Sequence, residues 1–199
     1  NMYGSKIKEI SIDIESEVSI INASKQIEQK KIDIIIVATG VLQNSFLKAE
    51  KRISQIEPDA INQIFRVNAV GPMMFVKSLW STLRQPHPLV VASISARVGS
   101  IADNRLGGWY GYRASKAALN QLSHTTAIEL ARYNADSCMV TLHPGTVDTD
   151  LSRPFQKMVP TDKLFTADES AAHLWRVIEN LKPSQTGGFF AFDGSSIPF

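Results

Sequence analysis

The stretch Asp33-Ile34-Ile35-Ile36-Val37-Ala38-Thr39-Gly40 decides the fold class. Its β-branched run is apolar at consecutive positions, so a strand built from it expects cover on both faces. That is the pattern of a central parallel strand between two helical layers. Pro88 to Ile94 repeats it, and so does Cys138 to His143, which stops at Pro144-Gly145. Gly188 to Phe192 reads as a final strand. Ile7 to Ile14 differs: Ile7, Ile10, Ile12 and Ile14 alternate with polar residues, which predicts an opening strand with one wet face.

Helical patterns separate these runs. Glu15 to Lys31 is weakly amphipathic. Gln43 to Glu57 is polar and reads as a loop with a short helix. Pro58 to Leu83 carries an extensive apolar face, with Gly71-Pro72 inside it, so a kink is expected there. Tyr110 to Tyr133 is rich in Ala and Leu. Ala167 to Leu181 turns Ala171, Leu174, Val177, Ile178 and Leu181 inward. Strands alternating with helices imply an α/β fold: βαβ units, a doubly wound parallel sheet, and one three-layer αβα domain over 1–199. Ligands of such sheets sit beyond the carboxyl ends of the strands. Asp13, Thr39-Gly40, Ser95 and Pro144-Gly145-Thr146 fall there.

The 199 residues suffice for one domain with a real core, and 44% hydrophobic with 20% charged residues is an ordinary composition. A net charge of +2 with scattered Lys and Arg argues against a nucleic-acid surface or a polybasic membrane anchor. Ile34 to Ala38 is too short to span a bilayer. Cys138, the lone cysteine, excludes an intrachain disulfide and a zinc site of several thiolates, and suits a reducing, cytoplasmic compartment. His87, His124, His143 and His173 show no close pairing, so no metal site is expected and each reads as a surface or capping residue.

The chemistry is concentrated in Trp109-Tyr110-Gly111-Tyr112-Arg113-Ala114-Ser115-Lys116. Tyr112 and Lys116 lie four residues apart at the start of a helical pattern, on one face and one turn apart. A cation beside a phenol lowers the phenol's pKa, and a phenol so tuned can exchange a proton with a substrate oxygen. The same spacing is also that of a plain solvated helix pair.

Three further segments accompany it: Val67-Asn68-Ala69, Ile94-Ser95-Ala96-Arg97-Val98-Gly99-Ser100 with Asp103 to Gly108, and Pro144-Gly145-Thr146-Val147-Asp148-Thr149. In this order and on these elements, the chain resembles the short-chain dehydrogenase/reductase family, in its C-factor-like subgroup. The resemblance implies an NAD(P)-dependent oxidoreductase that interconverts a carbonyl and a secondary alcohol, or else a C-factor-like signalling or dinucleotide-binding protein. It implies Tyr112 as general acid/base, Lys116 as the cation that tunes it and holds ribose hydroxyls, Ser95 as a hydrogen-bond partner of the substrate oxygen, and Asn68 as holder of a relay water. It further implies cofactor contacts at Asp13, Ile14, Ala38, Thr39, Gly40, Pro144, Gly145, Val147 and Thr149. NADP or NAD is the implied cofactor, and a homodimer or homotetramer joined through the two long helices is the implied assembly. Ala117, Ala118, Ala127 and Ala131 would permit close helix approach there.

The chain departs from the family pattern at three places. Ala96 stands where the usual catalytic serine follows another serine. Val37-Ala38-Thr39-Gly40 replaces Asn-Asn-Ala-Gly. The glycine-rich Thr-Gly-x-x-x-Gly-x-Gly opening has no counterpart, so the domain is expected to be N-terminally incomplete, with Asn1 to Ser5 a remnant of a second strand and its loop. Asp13 reads equally well as a cap of the helix that follows it. The substrate pocket is expected between Gly99–Gly108, Leu151–Thr166 and the tail Asp193–Phe199. Leu106, Trp109, Leu151, Phe155, Met158 and Phe165 would make it apolar, suited to a small hydrophobic carbonyl.

Overall fold

In a computed structural model that describes residues 7–27, 31–44, 46–160 and 163–199, four parallel strands form the central sheet. They are β1 (Ile34–Val37), β2 (Leu89–Ile94), β3 (Ser137–His143) and β6 (Phe189–Ala191), side by side in that order. Ile35 pairs with Val91, Val91 with Met139, and Thr141 with Phe189. The helices are α1 (Glu17–Gln26), α2 (Pro58–Phe65), α3 (Gly71–Ser78), α4 (Trp80–Leu83), α5 (Tyr110–Ala131) and α6 (Ala167–Asn180). A two-stranded parallel pair, β4 (Thr146–Val147) with β5 (Leu164–Phe165), stands beside the sheet.

The period of two along each strand sends alternate side chains into two cores. Val91 and Met139 join Ile35, Val37, Val76, Leu79, Leu83, Ala127 and Leu130 beneath α3, α4 and α5. Ala92, Cys138, Val140 and Leu142 join Ile178 beneath α6, with Leu174 and Val177 packed against them. The doubly wound α/β arrangement expected from the sequence is therefore present, and the unbroken apolar runs of β2 and β3 explain it.

β1 differs from the expectation of full cover. Ile35 and Val37 are buried, whereas Ile34 is 36% and Ile36 46% exposed. Among the described residues β1 pairs only with β2, so it is a sheet edge with one wet face. Ile7 to Ile14 forms no strand: 7–13 is irregular and joins no ladder. Alternation alone makes no strand without a neighbour to bond. Ile7 and Ile12 face solvent instead. Asn1 to Ser5, read as the remnant of a strand, lies outside the described residues, as do 28–30 within the expected Glu15–Lys31 helix.

The interruption expected at Gly71-Pro72 lies just before it. Arg66–Val70 is a π-helical turn between α2 and α3, closed by Gly71 N–H on Arg66 C=O. Proline lacks the amide that would continue a regular ladder, and the wider turn absorbs the misfit. Asn68 sits in that turn with none of its surface exposed.

Candidate active site

The start of α5 is tightly specified. Gly107, Gly108 and Trp109 all have left-handed backbones, with φ of 64°, 66° and 52°. The Arg113 guanidinium fastens this loop by donating to the carbonyls of Gly107, Gly108 and Val98, at 2.9 Å for Gly108. Trp109 packs against Phe155 with tilted rings 4.4 Å apart between centroids and meets the Tyr112 ring edge-on at 6.4 Å. Tyr112 thus enters the first turn of α5 behind an ordered aromatic wall.

Asn68 binds α5 to the chain that follows β1. Its amide nitrogen donates to Val41 C=O at 2.8 Å and to Ser115 Oγ at 3.0 Å, while its oxygen accepts from Val41 N–H at 2.7 Å. Ser115 Oγ in turn donates to the Tyr112 carbonyl at 2.8 Å. The side chain therefore satisfies backbone groups and also ties the loop after β1 to the turn carrying Tyr112.

Lys116 and Tyr112 are 3% and 7% exposed, which removes the reading of a solvated helix pair. Lys116 Nζ donates to Ile94 C=O at 2.8 Å and lies 5.8 Å from the Tyr112 ring centroid. Burial sets both acidities here. It pushes the Tyr112 phenol up to about 12 and the Lys116 ammonium down to about 8. The lowered phenol expected from spacing is corrected: the cation points to a carbonyl, and loss of solvent outweighs its attraction.

Both side chains line a cavity of about 680 Å³ at the carboxyl ends of β1, β2 and β3. Ala38, Thr39, Gly40, Ser95, Pro144, Gly145, Val147 and Thr149 line it too. Asn68 lies behind the wall. Asp13 and Ile14 are not part of it. Asp13 Oδ1 accepts from Glu15 N–H at 2.9 Å in a turn before α1, and the Ile14 carbonyl packs against Gly71. Helix capping at α1 belongs to Ser16, whose side chain accepts from Ser19 N–H.

Ser95 is 2% exposed, and its hydroxyl donates to Asn120 Oδ1 at 2.7 Å. Its one proton is spent inside the protein, so this geometry does not meet the expectation of a hydrogen bond given to substrate. Ala96, at the cavity wall, carries no side-chain donor. Leu106 is 93% exposed, and neither Phe165 nor the tail 193–199 reaches the cavity, so the expected pocket shrinks to Trp109, Leu151 and Phe155 with Leu42, Val98 and Val159. Phe165 packs instead on His173 and Phe192. The Met158 side chain lies outside what is described. His143, expected as a surface or capping group, ends β3 inside the cavity. Burial and the Arg97 charge hold its imidazole down to about 4, so it is neutral near pH 7.

The model of the short chain dehydrogenase family matches residues 1–160. The chain belongs to that family. This member is 36% identical to the C-signal protein of Myxococcus xanthus over 135 residues, covering 68% of this chain and 76% of that one. It is 29% identical to 1-hydroxy-2-glutathionyl-2-methyl-3-butene dehydrogenase of Rhodococcus sp. (strain AD45) over 190 residues, covering 94% of this chain and 78% of that one. Its fold superposes with a TM-score of 0.81 on a Burkholderia multivorans protein assigned to the short-chain dehydrogenases/reductases and solved with bound NADP, at 25% identity, covering 100% of this chain and 80% of that one.

Sequence reasoning passed over several residues of this short-chain dehydrogenase site. Ser115 and Asn120 were legible only as helix positions, yet they hold Asn68 and Ser95. Arg113 was legible only as a member of the Tyr112–Lys116 motif, yet it fastens the loop before α5. Glu50, in a polar loop, is 4% exposed and accepts from the Gly111 amide. A buried carboxylate is a signal, but burial is not written in a stretch such as Lys48-Ala49-Glu50-Lys51-Arg52.

Proposed function

We propose that this chain is an NAD(P)-dependent oxidoreductase that interconverts a carbonyl and a secondary alcohol, with Tyr112 as general acid/base. The observation that carries the reading is the buried pair, Tyr112 and Lys116, facing a cavity at the carboxyl ends of three parallel strands. Family membership supports the redox chemistry, and the NADP-bound Burkholderia protein supports the cofactor class.

The residues present fit the nicotinamide-ribose end of a dinucleotide. Ala38, Thr39 and Gly40 keep one wall low, and Thr39 Oγ1 is buried there without a partner among the described residues. A Cβ on Gly40 would stand 3.3 Å from Lys116 Nζ, so only glycine leaves the ammonium unobstructed. Among the described residues Lys116 has one acceptor, at 2.8 Å, which leaves two N–H groups for ribose hydroxyls. Thr149 and Val147 line the same cavity, and on this reading the Thr149 side chain and the Val147 backbone hold the carboxamide and phosphates. The nicotinamide, when bound, supplies or accepts the hydride.

A phenol held near 12 is fully protonated at neutral pH, which suits Tyr112 to give its proton to a carbonyl oxygen during reduction. Lys116, near 8, stabilises the phenolate left behind and stands ready to return a proton to it. Asn68 holds the Val41 backbone against this path, the place for a relay water. Leu42, Val98, Trp109, Leu151 and Phe155 make the substrate end apolar, favouring a small hydrophobic carbonyl. We place the protein in the cytoplasm as a homodimer or homotetramer, its contact built on the outer face of α5. Leu122 and Ile128 are 39% and 48% exposed there, whereas Ala127 is buried in the core and takes no part. Light scattering on the purified protein gives the subunit number.

The test is fluorescence titration with NADPH and NADH, followed by reduction of 4-nitrobenzaldehyde as an apolar probe. Binding with turnover, and loss of turnover but not of binding in Tyr112→Phe, supports the reading; no dinucleotide binding sinks it. A second reading, a C-factor-like dinucleotide-binding or signalling protein without turnover, is favoured by one observation: Ala96 supplies no side-chain donor where the family pattern has serine. Binding without turnover of any carbonyl probe would select it.

A further inference from the structure

Tyr112 stands two residues into a helix whose N-cap residue offers no side-chain hydrogen bond. The free amides at a helix start need an acceptor from somewhere. Here it comes from 61 residues upstream: both carboxylate oxygens of Glu50 lie 3.3 Å from the Gly111 nitrogen. The same residue accepts a second time, because its backbone carbonyl takes the Trp109 N–H at 2.5 Å. Glu50 thus grips the chain on both sides of Tyr110.

Two independent features show that this grip is built in. Trp109 is the one non-glycine residue with positive φ among the described residues, a conformation that persists only where the surroundings over-determine it. Its amide is held by Glu50 and its ring by Phe155 and Tyr112. Gly111 leaves the room the carboxylate needs. A Cβ there would stand 2.9 Å from Glu50 Oε1 and 3.3 Å from Ile64 Cδ1.

We infer that Glu50 is a positioning residue for proton transfer: as a cap supplied in trans to α5, it fixes the approach of Tyr112 to the cavity. A carboxylate at a helix N-terminus is also favoured by the helix dipole, so either its reach or its charge could be what matters. The geometry points to reach, since the acceptors meet one particular amide. The inference rests on the oxidoreductase reading, and its test separates the two.

The variants are Glu50→Ala, Glu50→Gln and Glu50→Asp in the full chain, with NADPH and 4-nitrobenzaldehyde as probe. Glu50→Ala is expected to lower kcat on the order of 10- to 100-fold, the scale of a misplaced acid, with the KM for NADPH changed far less. Gln keeps an acceptor at the same reach and restores most of kcat. Asp keeps the charge but falls one methylene short, and does not. Rescue by Asp but not Gln, or by neither, overturns the assignment. Amide hydrogen exchange reads the same grip without turnover: Glu50→Ala takes the acceptor from the Gly111 amide and speeds exchange there, while leaving 89–94 protected. If the wild type reduces no carbonyl, the oxidoreductase reading fails and exchange alone decides the anchor. Unchanged exchange at the Gly111 amide overturns it.

Discussion

Lys116 should weaken the fold that it serves. Its ammonium is 3% exposed and has, among the described residues, one neutral acceptor, the Ile94 carbonyl. A fall of its pKa from 10.5 to about 8 means that the folded protein binds this proton less tightly than the unfolded chain does. The folded pKa is the lower one, so the penalty is fully present below about 8 and is relieved as pH rises toward 10.5. It amounts to about 3 kcal/mol at pH 7 and less than about 1 kcal/mol at pH 10. Lys116→Met keeps most of the volume, removes the charge, and leaves the Ile94 carbonyl without its donor, a loss of about 1 kcal/mol. At pH 7 the variant should therefore be about 2 kcal/mol more stable than wild type, with the advantage gone near pH 10. Urea unfolding at both values, followed by far-UV circular dichroism, reads the difference, and turnover should be lost throughout. A variant less stable than wild type at pH 7, or a difference independent of pH, would refute the reasoning.

Three further outcomes are expected. Ser95→Ala should leave reduction of 4-nitrobenzaldehyde within about threefold of wild type, because its hydroxyl is already given to Asn120, while Ala96→Ser, which adds a donor at the cavity wall, should raise kcat; steady-state kinetics of both variants check this, and the reverse order would return the donor role to Ser95. Asn68→Ala removes three hydrogen bonds, two of them to the Val41 backbone, and should cost about 2–4 kcal/mol in urea unfolding. Gly145→Ala forces a Cβ to 2.6 Å from the Phe165 ring at a φ of 79°, and should destabilise by more than about 2 kcal/mol and lower the melting temperature measured by scanning calorimetry.

What could be read from the sequence depended on how local its cause is. β2 and β3 were legible because burial on both faces leaves consecutive apolar residues. The start of α5 and the Tyr112–Lys116 spacing were legible for a similar reason, since helix geometry is set by neighbours along the chain. Ile7 to Ile14 misled because a strand requires a partner that its own residues do not specify. The acidity of Tyr112 misled because spacing shows a cation but not the loss of water around both groups. Asn68 stood out only through the family motif; nothing local distinguishes it from a helix amide. Glu50 was invisible, since its partner amide is 61 residues away in a different element.

The π-helical turn at Arg66–Val70 has a consequence for insertions and deletions. Each residue of an α-helix rotates the chain about 100° around its axis. The wide turn takes up the extra residue that separates Ile64, buried near α5, from Val76, Leu79 and Leu83, buried under the sheet. It works as a phase shifter between two apolar stripes that a single straight helix would not align. Removing one residue from it would regularise the hydrogen bonds and yet put the two stripes out of step by about a quarter turn. Substitutions here are therefore felt locally, whereas a change of length is felt along the whole helix.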